Sequence, residues 1–285
     1  MDALVRTARR PLVTIVLWMA LGLATALASA TSFAQDRDAA WTALLARHVV
    51  PIDGGHASQV DYAGFAADRA ALDRYTGALS AVSKSTFDSL SKPQQMAFLI
   101  NAYNAFTIEL ILMRYPKLDS IRDLGGLFGS PWKKRFIALL GDQVSLDDIE
   151  HGMLRAAGRY DDPRIHFAVN CASIGCPALR EEAYIADRLD AQLDDQAHRF
   201  LSDRTRNRFD PKARTLQVSK LFDWYGDDFT KGHRGITSVR GFLAGHADQL
   251  ADAPADRALI RGQDAPVGFT DYDWRLNDVG FASKR

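Results

Sequence analysis

A short stretch in the middle of the chain holds the residues that could act together as nucleophile and base. Both cysteines of the 285-residue chain, Cys171 and Cys176, follow closely after His166. A cysteine thiolate that an imidazole activates can attack an amide or ester carbonyl. Two cysteines so close together in an exported protein can also form a disulfide. The stretch therefore predicts either a reactive site or a covalent cross-link.

Three interpretations of this stretch are open. In the first, Cys171 is the nucleophile, His166 or His151 is its base, and another side chain orients the imidazole. The candidates for that orienting role are Glu150, Asn101 and Asn104. In the second, Cys171 and Cys176 form a disulfide that stiffens a local turn, because closing so short a loop removes little entropy from the unfolded chain. In the third, the histidines, Glu150 and a cysteine form a metal or other polar site, but no H-x-x-x-H or C-x-x-C spacing supports a metal, so no metal or other cofactor is predicted.

A central helix is the clearest of the elements that would position these residues. Ser91 and Gln94 form the pattern of a capping box, and Pro93 suits the first turn, so we predict a helix from Ser91 to Arg114. The body of this segment is apolar on nearly every side. Such a composition is typical of a helix that is buried in the protein core.

Asn101 and Asn104 interrupt that apolar helix and, with Thr107, recur every three residues along one side. A buried amide that lacks hydrogen-bond partners costs about 1 to 3 kcal/mol. We favour the interpretation that the two asparagines hold the backbone of a neighbouring loop, because asparagine can donate and accept at once. Orientation of a catalytic group in a pocket is the alternative.

Glu150 and His151 fall on a second predicted helix, which Ser145 caps and Gly158 ends. A histidine beside a carboxylate can serve as a general base or a metal ligand. Adjacent residues of an α-helix point about 100 degrees apart, however, so these two side chains do not form a pair by themselves.

Other patterns predict strands and further helices. The apolar residues between Ile165 and Asn170 alternate with others, which predicts a strand with His166 and Asn170 on one face. Trp224 and Tyr225 are predicted on a helix over 220–229, where we expect them to pack in the core. The alternative is that this aromatic pair, beside Asp223, Asp227 and Asp228, forms the wall of a sugar or peptide groove. The remaining predictions are a hairpin over 134–144, an amphipathic helix over 187–201, and strands over 215–218 and 267–277. Together they predict an α+β fold: a mostly helical single domain with a small antiparallel sheet and a central buried helix.

The N-terminal segment has the composition of a secretory signal. Three arginines, Arg6, Arg9 and Arg10, precede an uncharged apolar run over 12–27, and small residues follow. A run of about 16 residues is shorter than the roughly 20 that span a bilayer. We therefore predict a cleaved signal over 1–34 and a periplasmic or secreted protein, with membrane contact only through an uncleaved signal segment.

The overall charge argues against nucleic acid as a partner. The chain has 35 basic and 35 acidic residues, so it lacks the basic excess that binds phosphates. The expected partner is a small molecule or an envelope peptide or ester. No linker or repeat divides the chain, and we predict an N-terminal helical segment over 35–89, a core domain over 90–201 and a C-terminal extension over 202–285 that packs on the core.

Three strings resemble domain-of-unknown-function family 547. They are FLINAYNA from Phe98, SLDDIEH from Ser145 and DPRIHFAVNCASIGCP from Asp162. The resemblance spans about residues 90–201 and continues more loosely through 219–225. It implies no particular activity, because the family is named for its unestablished function. Bacterial members of the family are often exported, as the N-terminal signal also predicts.

Two classes of function follow from these residues. The first is a thiol-dependent hydrolase or acyl transferase on an amide or ester, in which Cys171 attacks and a histidine is the base. The second is a non-catalytic periplasmic binding or structural module with a Cys171–Cys176 disulfide. A nucleophile must be a free and accessible thiol, so the state of Cys171 distinguishes the two classes.

Overall fold

The computed structural model describes residues 36–125 and 129–280, so the predicted signal over 1–34 lies outside the described residues. Helices make up most of the described chain. They are α1 over 36–48, α2 (Tyr62–Ala67), α3 (Arg69–Ser80), α4 (Lys84–Asp88), α5 (Lys92–Leu112), α6 (Ile165–Ala168), α7 (Leu189–Ser202), α8 (Leu221–Trp224), α9 (Val239–Ala244), α10 (Ala247–Leu250) and α11 (Pro254–Arg261). Short 3-10 turns and one π-helix (Asp148–Leu154) lie between them.

The helix α5 is the centre of the fold, as predicted. The Ser91 hydroxyl accepts a hydrogen bond from the backbone N–H of Gln94, and the Gln94 side chain accepts one from the backbone N–H of Ser91. This capping box starts the helix at the predicted place. By length and composition α5 could also span a membrane, but 94% of that apolar window is buried inside the protein. The apolar side chains of α5 therefore pack against the rest of the protein core.

The strands form three small sheets rather than one. Two antiparallel pairs are β1 (Val49–Ile52) with β2 (Ala57–Val60) and β3 (Ile137–Leu139) with β4 (Asp142–Val144); the second is the predicted hairpin. A three-stranded sheet has the order β5 (Arg208–Asp210), β6 (Thr215–Val218) and β7 (Val267–Phe269). In it, β7 is parallel to β6, because the intervening helices give the chain enough length to return in the same direction. The predicted mostly helical α+β class is confirmed.

Four predicted elements differ from the structure. The strand predicted over 267–277 is β7, which spans only Val267–Phe269. The segment from Ile165 to Ala168 is the short helix α6 rather than a strand, and all four of its residues are buried. Because the segment is covered on every side, the alternation of apolar residues carried no information about a strand face. The predicted α-helix after Ser145 is a π-helix, and the one over 220–229 is divided into α8 and a 3-10 turn.

Two groups of buried apolar side chains pack on either side of α7. Leu189 and Leu193 of α7 join the group around α5, whereas Phe200 and Leu201 join a second group with α9 to α11 and the three-stranded sheet. The last described segment, 271–280, then crosses back, and Leu276 packs into the first group. The residues on either side of Leu276 contact the loop that follows α6, and a pocket lies beside this contact.

Candidate functional site

A pocket of about 210 Å³ lies where α5, the π-helix, α6 and the C-terminal segment meet. It brings together Glu150, His151, His166, Cys171 and Cys176 from the residues that the sequence identified. Six aromatic side chains form much of the remaining wall: Tyr103, Trp132, Trp224, Tyr225, Tyr272 and Trp274. No lysine or arginine is among the described residues that line it, while Asp147 and Glu150 both are. The charged side chains of the wall are therefore acidic.

His166 is the most tightly held polar group of the pocket. Its Nε2 lies 2.6 Å from Oδ2 of Asp228, and its ring stacks on Tyr225 with 3.9 Å between the ring centroids. Burial lowers the pKa of His166 below its ordinary value, although the hydrogen bond to Asp228 and the nearby Glu150 act in the opposite direction. The imidazole is therefore neutral at neutral pH, with its Nε2 proton donated to Asp228.

The other ring nitrogen of His166, Nδ1, is buried and has no hydrogen-bond partner among the described residues. Oε1 of Glu150 lies 3.9 Å from it, which is beyond hydrogen-bond distance. In a neutral imidazole whose Nε2 carries the proton, Nδ1 carries the lone pair. Such an atom in a pocket wall can take a proton from a ligand.

Asp228 is held in its ionised form by cations. Burial opposes ionisation of Asp228, but hydrogen bonds from His166, Arg155 and Lys231 outweigh it and lower the pKa of this carboxyl far below its usual range. Nε of Arg155 lies 2.5 Å from Oδ2, and Nζ of Lys231 lies 2.8 Å from Oδ1. The carboxylate therefore stays charged and keeps the imidazole of His166 in one orientation.

Glu150 faces His166 from the π-helix. Burial, followed by the charge of Glu150, raises the pKa of Tyr103 and Tyr225. Both hydroxyls thus remain protonated donors. Glu150 has the geometry to stabilise positive charge on His166.

His151, the other predicted base, lies at the edge of the pocket. Its exposed ring accepts a hydrogen bond at Nδ1 from Arg155, and its Nε2 lies 3.6 Å from Asp147. Glu150 and His151 both line the pocket although they are adjacent in sequence. His151 therefore lies in an exposed part of the pocket wall, and it makes no hydrogen bond to His166 or Cys171.

Cys171 and Cys176 are joined in a disulfide in the pocket wall. The backbone N–H of Cys171 donates to Sγ of Cys176 over 2.9 Å, and the hydroxyl of Tyr272 lies 3.1 Å from Sγ of Cys171. The ring of Tyr272 approaches Gly175 so closely that a Cβ at that position would lie 2.9 Å from ring carbons. A glycine is therefore required at position 175 for Tyr272 to reach the two sulfur atoms.

Asn101 and Asn104 are both engaged with backbone. Asn104 accepts from the N–H of Asn170 over 2.8 Å and donates to the carbonyl of Ala168 over 3.0 Å. Asn101 makes the same pair of bonds with the N–H and carbonyl of Tyr184, at 2.9 and 2.8 Å. Neither amide contacts a histidine. Asn104 thus positions the chain between His166 and the disulfide, and Asn101 holds a different loop.

The expectation that Trp224 packs in the core was wrong. Its side chain is 43% exposed and stacks on Trp274, with 5.6 Å between ring centroids. Trp274 in turn packs edge-on against Trp132 and has the guanidinium of Arg122 over its ring. The tryptophans form one side of the pocket entrance, because α8 ends at Trp224 and leaves its ring facing the C-terminal segment.

The sequence did not single out Asp228, Tyr103, Tyr272 or Trp274 as site residues. Asp228 lies 62 residues after its partner His166, and Tyr272 lies 101 residues after Cys171. The only local indication of Asp228 in the sequence was the group of Asp223, Asp227 and Asp228 near Trp224. The sequence did not reveal which of these three carboxylates contacts His166. Within the residues that the structure describes, no group of three or more His, Cys, Asp or Glu side chains could hold a metal ion.

Comparison with known protein families gives a match to part of the chain. Residues 87–201 match the family described as "Protein of unknown function, DUF547", which confirms the resemblance predicted over 90–201. Nothing among the curated proteins or the solved structures matches the chain.

Proposed function

Because residues 87–201 belong to DUF547, a family whose description gives no activity, we propose a function from the pocket itself. The pocket is the active site of a hydrolase or acyl transferase that acts on a small ester or amide. His166 is its general base, Asp228 orients the base, and Glu150 supports the charge that develops on it.

The main observation in support of this proposal is that the two ring nitrogens of His166 have different surroundings. Nε2 is bonded to an ionised carboxylate at 2.6 Å, while the buried Nδ1 has no hydrogen-bond partner among the described residues. A carboxylate that fixes the tautomer of a histidine leaves the opposite nitrogen ready to accept a proton. Three histidines have such an unpaired buried nitrogen, His48, His166 and His233, and of these His166 is the one that lines the pocket.

The reaction uses two proton transfers through Nδ1. A water molecule, or the hydroxyl of an acceptor, gives its proton to Nδ1 as its oxygen bonds to the acyl carbon. The carbon–oxygen or carbon–nitrogen bond to the leaving group then breaks, and the leaving alcohol or amine takes the proton from the imidazolium. Asp228 and Glu150 stabilise the imidazolium between these two steps.

A thiol-dependent version, with Cys171 as the attacking group, is the second candidate. It is supported by the position of Cys171 in the same pocket wall. The disulfide must first be reduced, because only a thiolate is nucleophilic. The contacts of Sγ of Cys171 are with Ser173 and Tyr272 rather than with a histidine. The geometry therefore favours an oxygen nucleophile.

We also propose that the protein works outside the cytoplasm, in the periplasm or secreted. The disulfide supports this location, since such bonds persist in oxidising compartments. The apolar run over 12–27 supports it independently. A non-catalytic binding module in the same compartment is the remaining alternative, and it predicts binding in the pocket without turnover.

Hydrolysis of simple acyl substrates tests the proposal. The full chain is assayed with p-nitrophenyl acetate, p-nitrophenyl butyrate and acetyl p-nitroanilide, without reductant. We expect turnover that His166→Gln reduces by about 10²- to 10⁴-fold, the usual contribution of a general base. His198→Gln is the matched control, because His198 is exposed and outside the pocket.

The other outcomes separate the alternatives. Turnover that appears only after reduction and disappears in Cys171→Ser supports the thiol-dependent version. Turnover that His166→Gln leaves unchanged contradicts the role of His166. No turnover with any of the three substrates favours the binding module.

A further inference from the structure

The two sulfur atoms of the disulfide differ in how a molecule in the pocket can reach them. Cys171 is half-buried, whereas Cys176 is only 3% exposed. Both residues line the pocket, so the disulfide is part of its wall rather than a cross-link hidden in the core. A nucleophile that enters the pocket therefore meets Sγ of Cys171 first, and Sγ of Cys176 is the leaving group.

Hydrogen-bond donors already surround the leaving sulfur. The backbone N–H of Cys171 donates to Sγ of Cys176 over 2.9 Å. The hydroxyl of Tyr272 lies 3.3 Å from the same sulfur and 3.1 Å from Sγ of Cys171. The hydroxyl oxygen of Ser173 lies 3.3 Å from Sγ of Cys176 and 3.4 Å from Sγ of Cys171. A disulfide sulfur carries no proton, so it accepts from the N–H of Cys171 and from the hydroxyl of Tyr272. The single hydroxyl proton of Ser173 is donated to Tyr272.

The donors also form a short chain that ends at the sulfurs. Ser173 donates to the Tyr272 hydroxyl over 3.1 Å, which leaves the Tyr272 proton directed toward the disulfide. Burial raises the pKa of Tyr272, so its hydroxyl stays protonated at neutral pH. Such donors stabilise a neutral disulfide only slightly, because its sulfur is a weak acceptor, but they stabilise a charged thiolate much more. These donors therefore stabilise the Cys176 thiolate, which is a product of disulfide cleavage, more than they stabilise the intact disulfide.

The charge of the pocket wall selects among thiols. Asp147 and Glu150 line the pocket, and no lysine or arginine is found among the described lining residues. Arg155 and Arg206 lie behind the wall, at His151 and at the carbonyl of Cys176. Both are already paired with carboxylates, those of Asp228 and Asp203. An incoming thiol that carries an ammonium group can therefore pair with Asp147 or Glu150, whereas one that carries a carboxylate is repelled by them. The volume of about 210 Å³ suits a small molecule rather than a protein segment.

We propose that the Cys171–Cys176 disulfide is a thiol–disulfide exchange site for a small aminothiol that binds in this pocket. This activity goes beyond the favoured form of the proposed acyl chemistry, in which the nucleophile is an oxygen and neither cysteine takes part. The thiolate of the ligand attacks Sγ of Cys171, the bond between the two cysteine sulfurs breaks, and its electron pair remains on Sγ of Cys176. A second aminothiol then attacks the ligand sulfur of the mixed disulfide, which releases the ligand disulfide and leaves two reduced cysteines.

Trapping with cysteamine tests the site. The folded full chain is mixed with cysteamine, quenched with iodoacetamide at intervals, and digested for mass spectrometry. We expect the cysteamine adduct on Cys171 and the carbamidomethyl group on Cys176. An adduct on Cys176 instead, or reduction only after denaturation, overturns the proposal. At equal thiolate concentration, 3-mercaptopropionate should react more slowly, and an equal or faster rate overturns the preference for an aminothiol.

Variants test the role of the donors. Tyr272→Phe removes one donor and should slow formation of the Cys171 adduct about tenfold or more, the range for a hydrogen bond to a charged group. Ser173→Ala should slow it by a smaller factor, because Ser173 acts partly through Tyr272. The control is Tyr160→Phe, whose hydroxyl bonds to Gln95 and not to sulfur.

Wild-type rates in both Tyr272→Phe and Ser173→Ala, with folding confirmed by circular dichroism, overturn the proposed role of these donors. Because ester hydrolysis is assayed without thiols, the exchange reaction and the proposed hydrolase activity can fail separately. His166→Gln should reduce hydrolysis by about 10²- to 10⁴-fold, as expected for loss of a general base.

Discussion

The imidazole of His166 is nearly inaccessible to solvent, and this burial explains most of its chemistry. Loss of hydration disfavours the protonated ring and lowers its pKa, while Asp228 and Glu150 limit the shift. A neutral ring with one nitrogen bound to Asp228 and the other unpaired is a base rather than an acid. The same property makes the stability of the protein depend on pH.

At the residue scale, we predict that acid destabilises the protein through His166. Its folded-state pKa lies below the ordinary value of 6.5, so below about pH 6.5 the unfolded chain binds a proton that the folded protein does not bind. The free energy of unfolding should therefore fall as the pH decreases from about 7 towards 5, and this part of the decrease should be absent in His166→Gln. Urea denaturation at several pH values measures both slopes.

Comparing the pH dependence of wild type and His166→Gln separates the contribution of His166 from those of the other histidines. Burial also lowers the pKa of His233 and His246, but both remain in the variant and contribute equally to the two curves. Equal pH slopes for wild type and His166→Gln would contradict the assignment of a neutral, buried imidazole.

At the scale of elements, α5 does more than fill the core, because its polar side chains hold two loops. Asn104 bonds to the chain at Ala168 and Asn170, and Asn170 in turn accepts from the N–H of Ala172 over 2.9 Å and donates to Pro177 over 2.8 Å. The backbone of Ala172 adopts a positive φ of 61 degrees, which few residues other than glycine favour. These bonds offset the cost of that conformation and set the position of the disulfide.

Asn104→Ala should destabilise the protein by about 2 to 4 kcal/mol, because it leaves one buried N–H and one buried carbonyl without a partner. Asn101→Ala is the matched control: it removes the same two kinds of bond, but at Tyr184. We expect similar losses of stability by urea denaturation in both variants. Only Asn104→Ala should change the rate of cysteamine exchange at Cys171, and an equal change in both variants would argue against a local role for Asn104.

At the scale of the whole molecule, the C-terminal segment connects the two buried groups and closes the pocket. The N–H of Ile174 donates to Arg275 over 2.8 Å, and the N–H of Val60 donates to Asn277 over 2.8 Å. Leu276, only 1% exposed, lies between these two contacts. The pocket therefore requires the last described residues as well as the segment 87–201 that matches the family.

Leu276→Ala should lower the free energy of unfolding by about 2 to 5 kcal/mol, as expected for a buried leucine that leaves a cavity. It should also weaken the near-ultraviolet circular dichroism of the tryptophans at the pocket entrance, because Trp274 is nearby in the same segment. Phe269→Ala is the control, since its side chain on β7 is 41% exposed, and it should cost about 1 kcal/mol or less. Equal effects of the two variants would mean that the segment does not close the pocket.

Local interactions alone determined several features of this protein. The capping box at Ser91, the apolar body of α5 and the hairpin over 134–144 depend on residues a few positions apart, so the sequence contained the information for these elements and for the α+β class. The proximity of Cys171 and Cys176 was likewise visible in the sequence, and so were the strings that match the family.

Only the tertiary structure decided which groups meet in the pocket. Asp228 reaches His166 across 62 residues, and Tyr272 reaches the disulfide from the far end of the chain. The helix α6 was mistaken for a strand because it is buried on all sides, and Trp224 is exposed because of where α8 ends. These contacts depend on how helices and loops pack against one another, and no pattern within a few residues specifies that packing.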